Sequence, residues 1–468
     1  MPVEPAVVTP RAMPPLALVG LLVGPLLSMV DSSIVNVAVT DIATGLHAGL
    51  PSVQWVVSGY LLALSAGLAA TAYLARRFGT LPVYVTSMVG FVVASAGCAA
   101  APDVPVLIGL RVVQGLAGAP LVPLAMSMLL GGASRGGDEE TPARPVPAVA
   151  GLLLFLAPAL GPTLGGTLIA AGGWRWIFLI NVPVGLAGLF GLRRLPAGVA
   201  PGRVAGARFD PVGLALLSIG LTLAVYGAGH GAGQGWRTPA TLVSLGTAAL
   251  LLVGYALWAS RRADPAVDLG VLRNAGAALG LALGVVSSVV AFAAVFLLPV
   301  FTQAVQGHTA LATGVALLPQ GLVTGLGTVL GQRLQTRFGT RPLVICGFLL
   351  LAVASSGLLL LDTGTPLWVT AALLSGRAAS IGLVVTPLLS VLLAQVRDDR
   401  LADANTLFNI ANRLGGSLGV SLLGSLLAAR STTAGAIPAF HEIGWVLTGL
   451  ALVAGVAALA LPRPAATF

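Results

Sequence analysis

Asp31 is the residue on which chemistry would turn. It lies in Leu26-Leu27-Ser28-Met29-Val30-Asp31-Ser32-Ser33-Ile34-Val35-Asn36 and is the one acid placed well inside an apolar stretch. A charge at a bilayer centre costs at least about 2.5–3.5 kcal/mol on insertion scales, so it should face a partner or a wet cavity. Arg111 is the natural partner. At 1.5 Å per residue, both lie about 10 Å below the same face of their apolar segments. Desolvation raises a carboxylate's proton affinity and a nearby cation lowers it, so a gate that alters both could load and release a proton. The bland alternative is a static structural pair.

A second polar set follows far along the chain. Asn405, Asn409, Arg413, Ser417, Ser421 and Ser425 recur at four-residue spacing, and the first half of this stripe is too polar to face lipid. Arg377 and Arg413 each sit about 11 residues into their segments, roughly 16 Å deep. Capture by backbone carbonyls or snorkelling is one reading of them. The other is a cavity with excess positive character, which would disfavour dications. The substrate-cavity candidates are thus Asn36, Gln54, Gln114, Gln303, Arg377, Asn409 and Arg413. Ala157, Gly161 and Gly165 form a small-residue stripe that admits a close helix. With Pro158 and Pro162, each lacking a backbone donor, the stretch containing Gly161, Pro162, Gly165 and Gly166 reads as a hinge or seal. His47, His230, His308 and His441 fall near segment ends and read as loop residues. No phosphate loop, zinc-ligand cluster or nucleophile elbow occurs, which argues against an enzyme, a metal site, an organic cofactor or ATP-driven chemistry in this chain.

The elements that must position these residues are apolar helices. The 468-residue chain is 57% hydrophobic with mean hydropathy +0.98. Only 8% of it is charged, against about 25% in soluble domains. A spanning helix needs roughly 20 apolar residues. Fourteen such stretches are expected near 15–38, 51–74, 82–101, 104–128, 147–171, 174–194, 210–229, 239–259, 276–302, 310–331, 341–361, 366–393, 402–429 and 441–461. All 24 basic residues are Arg, giving a net charge of +9. With the N-terminus inside, 18 of them fall on cytoplasmic segments and only Arg175, Arg237 and Arg430 on outer loops. That bias sets both termini in the cytoplasm and makes the positive charge a topology signal, not a nucleic-acid patch. The first 15 residues lack the layout of a cleaved leader. Cys98 and Cys346 lie within spans and read as packing residues. Trp55, Trp174, Trp176, Trp236, Trp368 and Trp445 fall near outer ends, as an interfacial belt would. Arg without Lys, with abundant Ala and Gly, suggests a GC-rich bacterial genome and hence a bacterial plasma membrane.

Two polar loops, 131–147 and 196–208, interrupt the pattern, and the second reads as a domain boundary. There is also an internal repeat. Arg77-Phe78-Gly79-Thr80-Leu81-Pro82 recurs as Arg337-Phe338-Gly339-Thr340-Arg341-Pro342, and Leu110-Arg111 is echoed by Gly376-Arg377. Repeats related in this way are common in secondary transporters, whose halves rock about a central site. The division expected is a six-helix bundle over 1–195, a linker with two extra helices over 196–274, and a second six-helix bundle over 275–468. The two Arg-Phe-Gly-Thr turns, with Arg77, Gly79, Arg337 and Gly339, would latch the cytoplasmic side.

Together these segments resemble the fourteen-span drug:proton antiporter branch of the major facilitator superfamily. Asp31-Ser32-Ser33-Ile34-Val35-Asn36 is similar to that branch's first-span signature. Leu107-Ile108-Gly109-Leu110-Arg111-Val112-Val113-Gln114-Gly115 resembles its span-four motif, and 157–166 its antiporter motif. Trp174-Arg175-Trp176-Ile177-Phe178-Leu179-Ile180-Asn181-Val182-Pro183 and Arg413-Leu414-Gly415-Gly416-Ser417 also match. The loop between spans two and three departs, because Arg76 stands where the family places Asp. The resemblance implies an all-α membrane protein with the major facilitator fold. It implies proton-coupled export of a small amphipathic drug or antibiotic by a monomer, with the proton as coupling ion and no cofactor. A proton-coupled importer of organic anions and a non-transporting membrane sensor or scaffold are the rival expectations.

Overall fold

The computed structural model describes residues 14–129, 148–195, 210–262, 265–267, 269–396 and 401–462. Loops 131–147 and 196–208 lie outside the described residues. Sixteen α-helices follow in order: α1 (Pro15–Gly45), α2 (Leu50–Phe78), α3 (Thr80–Ala100), α4 (Val104–Gly118), α5 (Leu121–Leu129), α6 (Ala148–Gly172), α7 (Trp176–Leu179) and α8 (Asn181–Leu192), then α9 (Pro211–Gln234), α10 (Pro239–Ala259), α11 (Ala275–Val300), α12 (Ala310–Phe338), α13 (Thr340–Ser356), α14 (Leu367–Leu393), α15 (Leu401–Ala434) and α16 (Ala436–Ala457). Local sequence marks several starts. Asp103, Asp210, Thr238, Asn274 and Thr309 each accept a first-turn amide at the N-cap, which satisfies a donor that the helix itself cannot.

Eleven of the described segments are long and apolar enough to cross a membrane, or 12 if the bent pair Leu160–Gly172 and Trp176–Leu192 counts as one span. This is therefore a multi-pass membrane protein. Two departures from the expected spans have clear causes. The stretch 104–128 is broken at Ala119-Pro120 into α4 and α5, because proline supplies no amide to the preceding turn. The stretches 147–171 and 174–194 meet at a 119° bend, where Gly173 takes φ +83°. α15 is 34 residues long but is not among the eleven, since Asn405, Asn409, Asn412 and Arg413 make its first half polar.

Helices α1–α8 pack on one another, with α1 against α6 and α8 and α4 between α2 and α3. Helices α11–α16 form a second body, with α14 against α11, α12 and α13. The two bodies meet along two seams, α6 on α12 and α2 on α15. The α9–α10 hairpin lies against α15 and α2 through α9. The repeated turns have matching geometry. Gly79 has φ +94° and its amide reaches the Ala75 carbonyl at 2.9 Å; Gly339 has φ +81° and reaches Gln335 at 2.9 Å. A left-handed residue after the last helical turn is where glycine avoids the Cβ penalty. Trp176, Trp236, Trp368 and Trp445 are exposed on the rim, whereas Trp174 is buried against Gly45 and Trp55 stacks on Tyr226. Trp174 therefore packs inside the protein, whereas Trp55 is half-buried beside an exposed Tyr226.

Candidate functional site

Five elements of the first body converge on Asp31. Arg111, on α4, donates from Nη1 to Asp31 Oδ2. Gln114 Nε2 and Asn181 Nδ2 donate to Asp31 Oδ1 at 3.1 and 3.0 Å. The same two amides also donate to Ser95 Oγ on α3, at 3.1 and 2.9 Å, and Ser95 passes its own proton to the Phe178 carbonyl at 2.9 Å. Arg111 is further held by Gln114 Oε1 at 2.9 Å and by the Val56 carbonyl of α2 at 3.0 Å. Its guanidinium lies 3.9 Å from the centroid of the Tyr60 ring, within the range of a cation–π contact. Asp31 is 0% exposed and Arg111 1%.

The chemical content of this arrangement lies in its donors. Each of the three side chains that meet the carboxylate does so with an N–H. Both carboxylate oxygens therefore act as acceptors here, Oδ1 twice and Oδ2 once, the role an ionised carboxylate fills.

Asn181, Ser95 and Tyr60 were not singled out from sequence. Asn181 stands in the Trp174–Pro183 segment, and an amide flanked by apolar residues was the signal available there. Ser95 had a subtler one. It stands 16 residues after Gly79, and Ser355 stands 16 after Gly339. In the second body Arg377 donates to Ser355 Oγ at 2.6 Å and to the Val290 carbonyl of α11 at 2.7 Å. The repeat thus keeps an Arg and a Ser at matching positions but bonds them differently: Arg377 donates to Ser355 directly, whereas Ser95 takes the Gln114 and Asn181 amides and Arg111 donates to Asp31.

Other expected site residues separate into groups. Arg377 is 1% exposed and lies inside the second body, so its bonds are internal and it does not line the seam. Asn36 is buried and donates to Ser32 and Ser33 carbonyls of its own helix, which removes it from a shared cavity. Gln114 belongs to the Asp31 cluster. Gln303 accepts from Thr40 and donates to the Val37 carbonyl at 2.9 Å, and Gln54 donates to Ser425 Oγ at 2.7 Å. These two therefore tie the bodies together. Thr163 donates to the Gly314 carbonyl at 2.8 Å, and Ser417 to the Ser58 carbonyl at 2.9 Å. All these bonds lie toward the end of the molecule where α1 finishes and α2 begins.

Residues 161–166 pack against that end on two faces, while the side chains of Ala157 and Pro158 lie outside those described. Gly161 and Gly165 rest on Ser33 and Ile34 of α1, where a Cβ would meet side-chain or backbone atoms within 3.0 Å. Gly166 and Pro162 face α12 instead. A Cβ on Gly166 would lie 2.5 Å from the Ala310 carbonyl oxygen, and one on Gly314 would lie 2.3 Å from that of Pro162. Along α15 the burial changes steadily. Ser425, Ser421 and Ser417 are buried, Arg413 is half-buried, and Asn409 and Asn405 are exposed. The seam is closed at one end and parts toward the other. At that other end Arg77 and Arg337 are exposed, and among the described residues neither bonds to the opposite body.

The comparisons agree with this geometry. The Major Facilitator Superfamily model matches residues 21–420 and 320–467. The chain is 32% identical over 429 residues to the methylenomycin A resistance protein of Bacillus subtilis, covering 91% of each. It is 31% identical to the tetracenomycin C resistance and export protein of Streptomyces glaucescens, over 90% of this chain and 77% of that protein. It is 29% identical to the multidrug export protein EmrB of Escherichia coli, over 87% of this chain and 78% of that one. Among solved structures, the inward-open xylose transporter XylE from E. coli superposes with a TM-score of 0.62 at 17% identity, covering 96% of this chain and 97% of the other. The nucleoside transporter NupG gives 0.66 at 12% identity, over 95% and 99%. With its paired bundles, repeated glycine turns and relatives that are transporters and not enzymes, the chain belongs to the Major Facilitator Superfamily.

Proposed function

We propose that the chain is a proton-coupled exporter of small amphipathic drugs or antibiotics, working by alternating access as a monomer, with the proton as its coupling ion and no cofactor. The observation that carries this is Asp31: among the described residues, the one carboxylate wholly buried within a membrane helix, held by three side-chain donors. Relatives named for antibiotic resistance and multidrug export support the substrate class. They do not favour the importer or the sensor. In this reading the bent pair contributes two spans and α15 one, for fourteen in all, with α9 and α10 as the inserted pair over 196–274 between bundles 1–195 and 275–468. The arginine bias places both termini in the cytoplasm, so the closed end faces outward and the parted end inward.

Proton binding would act through α1. Neutralising Asp31 removes the counter-charge of Arg111 and turns the charge-assisted bonds from Arg111, Gln114 and Asn181 into weaker ones, so the grip of α4 and α8 on α1 loosens. The same helix carries Val37 and Thr40 to Gln303, and Ser33 and Ile34 to the glycine face of α6. Asp31 and Thr40 are about 13 Å apart along the axis. A shift of α1 therefore reaches both outer contacts together. The test is uptake of a fluorescent amphipathic drug into inside-out vesicles with an acidified lumen. Uptake should depend on the protein and stop when nigericin collapses the gradient. Equal uptake without a gradient, or movement in the opposite direction, would sink the reading.

A further inference from the structure

Arg413 is a cation without a counter-charge. It is half-buried on α15, one turn below Ser417, whose hydroxyl is fixed to the Ser58 carbonyl of α2. Among the described residues its guanidinium has no hydrogen-bond or ion-pair partner. The helices around α15 offer no acid to it: α2, α9, α11 and α14 contain neither Asp nor Glu. On α16 the one acid, Glu442, is taken by Arg430 at 2.6 Å. On α15 itself the only acid, Asp403, is ten residues away, about 15 Å along the axis. Asp31 is already spent on Arg111.

Leaving one charge of a buried pair without its partner is among the most destabilising changes a protein can carry. Arg377, the other deep arginine of this body, bonds to Ser355 and Val290 through its two terminal nitrogens, although its buried Nε has no partner among the described residues. Arg413 has no such arrangement and stands where the seam parts, with exposed Asn409 one turn below. We propose that Arg413 is the anchor for an anionic oxygen group of the transported compound, so that this seam selects acidic amphiphiles over neutral and cationic ones. This rests on the exporter reading only for the word transported; recognition itself can be tested without it. The exchange of one entering proton for one departing monoanion would carry two positive charges inward, so transport of the acid should be accelerated by an interior-negative potential in cells.

The test is equilibrium binding of pyrenebutyrate, its methyl ester and pyrenemethylamine to the purified full-length chain in nanodiscs, read by pyrene fluorescence. The expected result is about ten- to a hundredfold tighter binding of the carboxylate, as one charge-assisted hydrogen bond provides. Arg413→Gln should erase that preference and Arg413→Lys should keep part of it. Asn409→Asp, which leaves Arg413 in place but sets a carboxylate one turn away, should also erase it, so the inference does not depend on one variant folding. Equal binding of acid and ester by the wild type, or a preference that survives in Arg413→Gln or Asn409→Asp, would overturn it. Proton-driven uptake of pyrenebutyrate in inside-out vesicles tests the exporter reading separately. Selective binding without uptake defeats the exporter and leaves Arg413 standing; uptake with no acid preference does the reverse.

Discussion

Replacing Asp31 by Asn probes both the ion pair and its purpose. Asp31 accepts from Arg111, Gln114 and Asn181. Asn has a single acceptor oxygen, so its amide nitrogen must face one of those donors. Arg111 would then be a buried cation without a counter-charge. It would retain Gln114 Oε1 at 2.9 Å, the Val56 carbonyl at 3.0 Å and the Tyr60 ring. The expected loss is therefore near the lower end of the roughly 3–5 kcal/mol that breaking a buried pair costs. Arg111→Gln should cost a similar amount by stranding the carboxylate. In the double variant neither charge remains, so the losses should fall short of their sum by about 2 kcal/mol. Reversible unfolding of the four proteins in mixed micelles measures the cycle, and vesicle uptake measures coupling in the same preparations. Additive single losses, or Asp31→Asn with wild-type stability and wild-type gradient-driven uptake, would refute the reasoning.

Two further outcomes follow from the seals and the turns. Gly166→Val places a Cβ 2.5 Å from the Ala310 oxygen and 2.8 Å from Leu311 Cα, both backbone, so α6 and α12 must separate. An overpacking cost of about 1–3 kcal/mol should open this end roughly fivefold or more, read as faster labelling of a Gln303→Cys reporter by an impermeant maleimide; unchanged labelling would contradict the seal. Gly79→Ala and Gly339→Ala, at φ +94° and +81°, should each lower unfolding stability by about 1–2 kcal/mol. A neutral result at either would show that the turn does not need its left-handed residue.

Much of the site was legible because a bilayer is a demanding solvent. An acid or an arginine in an apolar run is costly enough to announce itself, so Asp31, Arg111, Arg377 and Arg413 all stand out in the sequence. Depth along a helix is linear in residue number, which let Asp31 and Arg111 be matched. The azimuth of a side chain on its helix is not so readable. Asn36 and Arg377 were as conspicuous as Asn409 and Arg413, yet the first two turn into their own bodies. Asn181, Ser95 and Tyr60 were overlooked because a single amide, hydroxyl or phenol costs little to bury and leaves no mark in a hydropathy profile.

Sequence by itself determined the solvent, the helical class, the repeat with its glycine turns and the identity of the stranded charges. Each follows from local costs: apolar length against bilayer thickness, left-handed backbone against a Cβ, and charge against hydrocarbon. Tertiary structure alone decided which of those charges are compensated. It gave Asp31 three donors, gave Arg377 a hydroxyl and a carbonyl, and left Arg413 on the open seam with neither. Compensation depends on which faces of separate helices meet, and that is settled by packing across the whole assembly, not by any one segment.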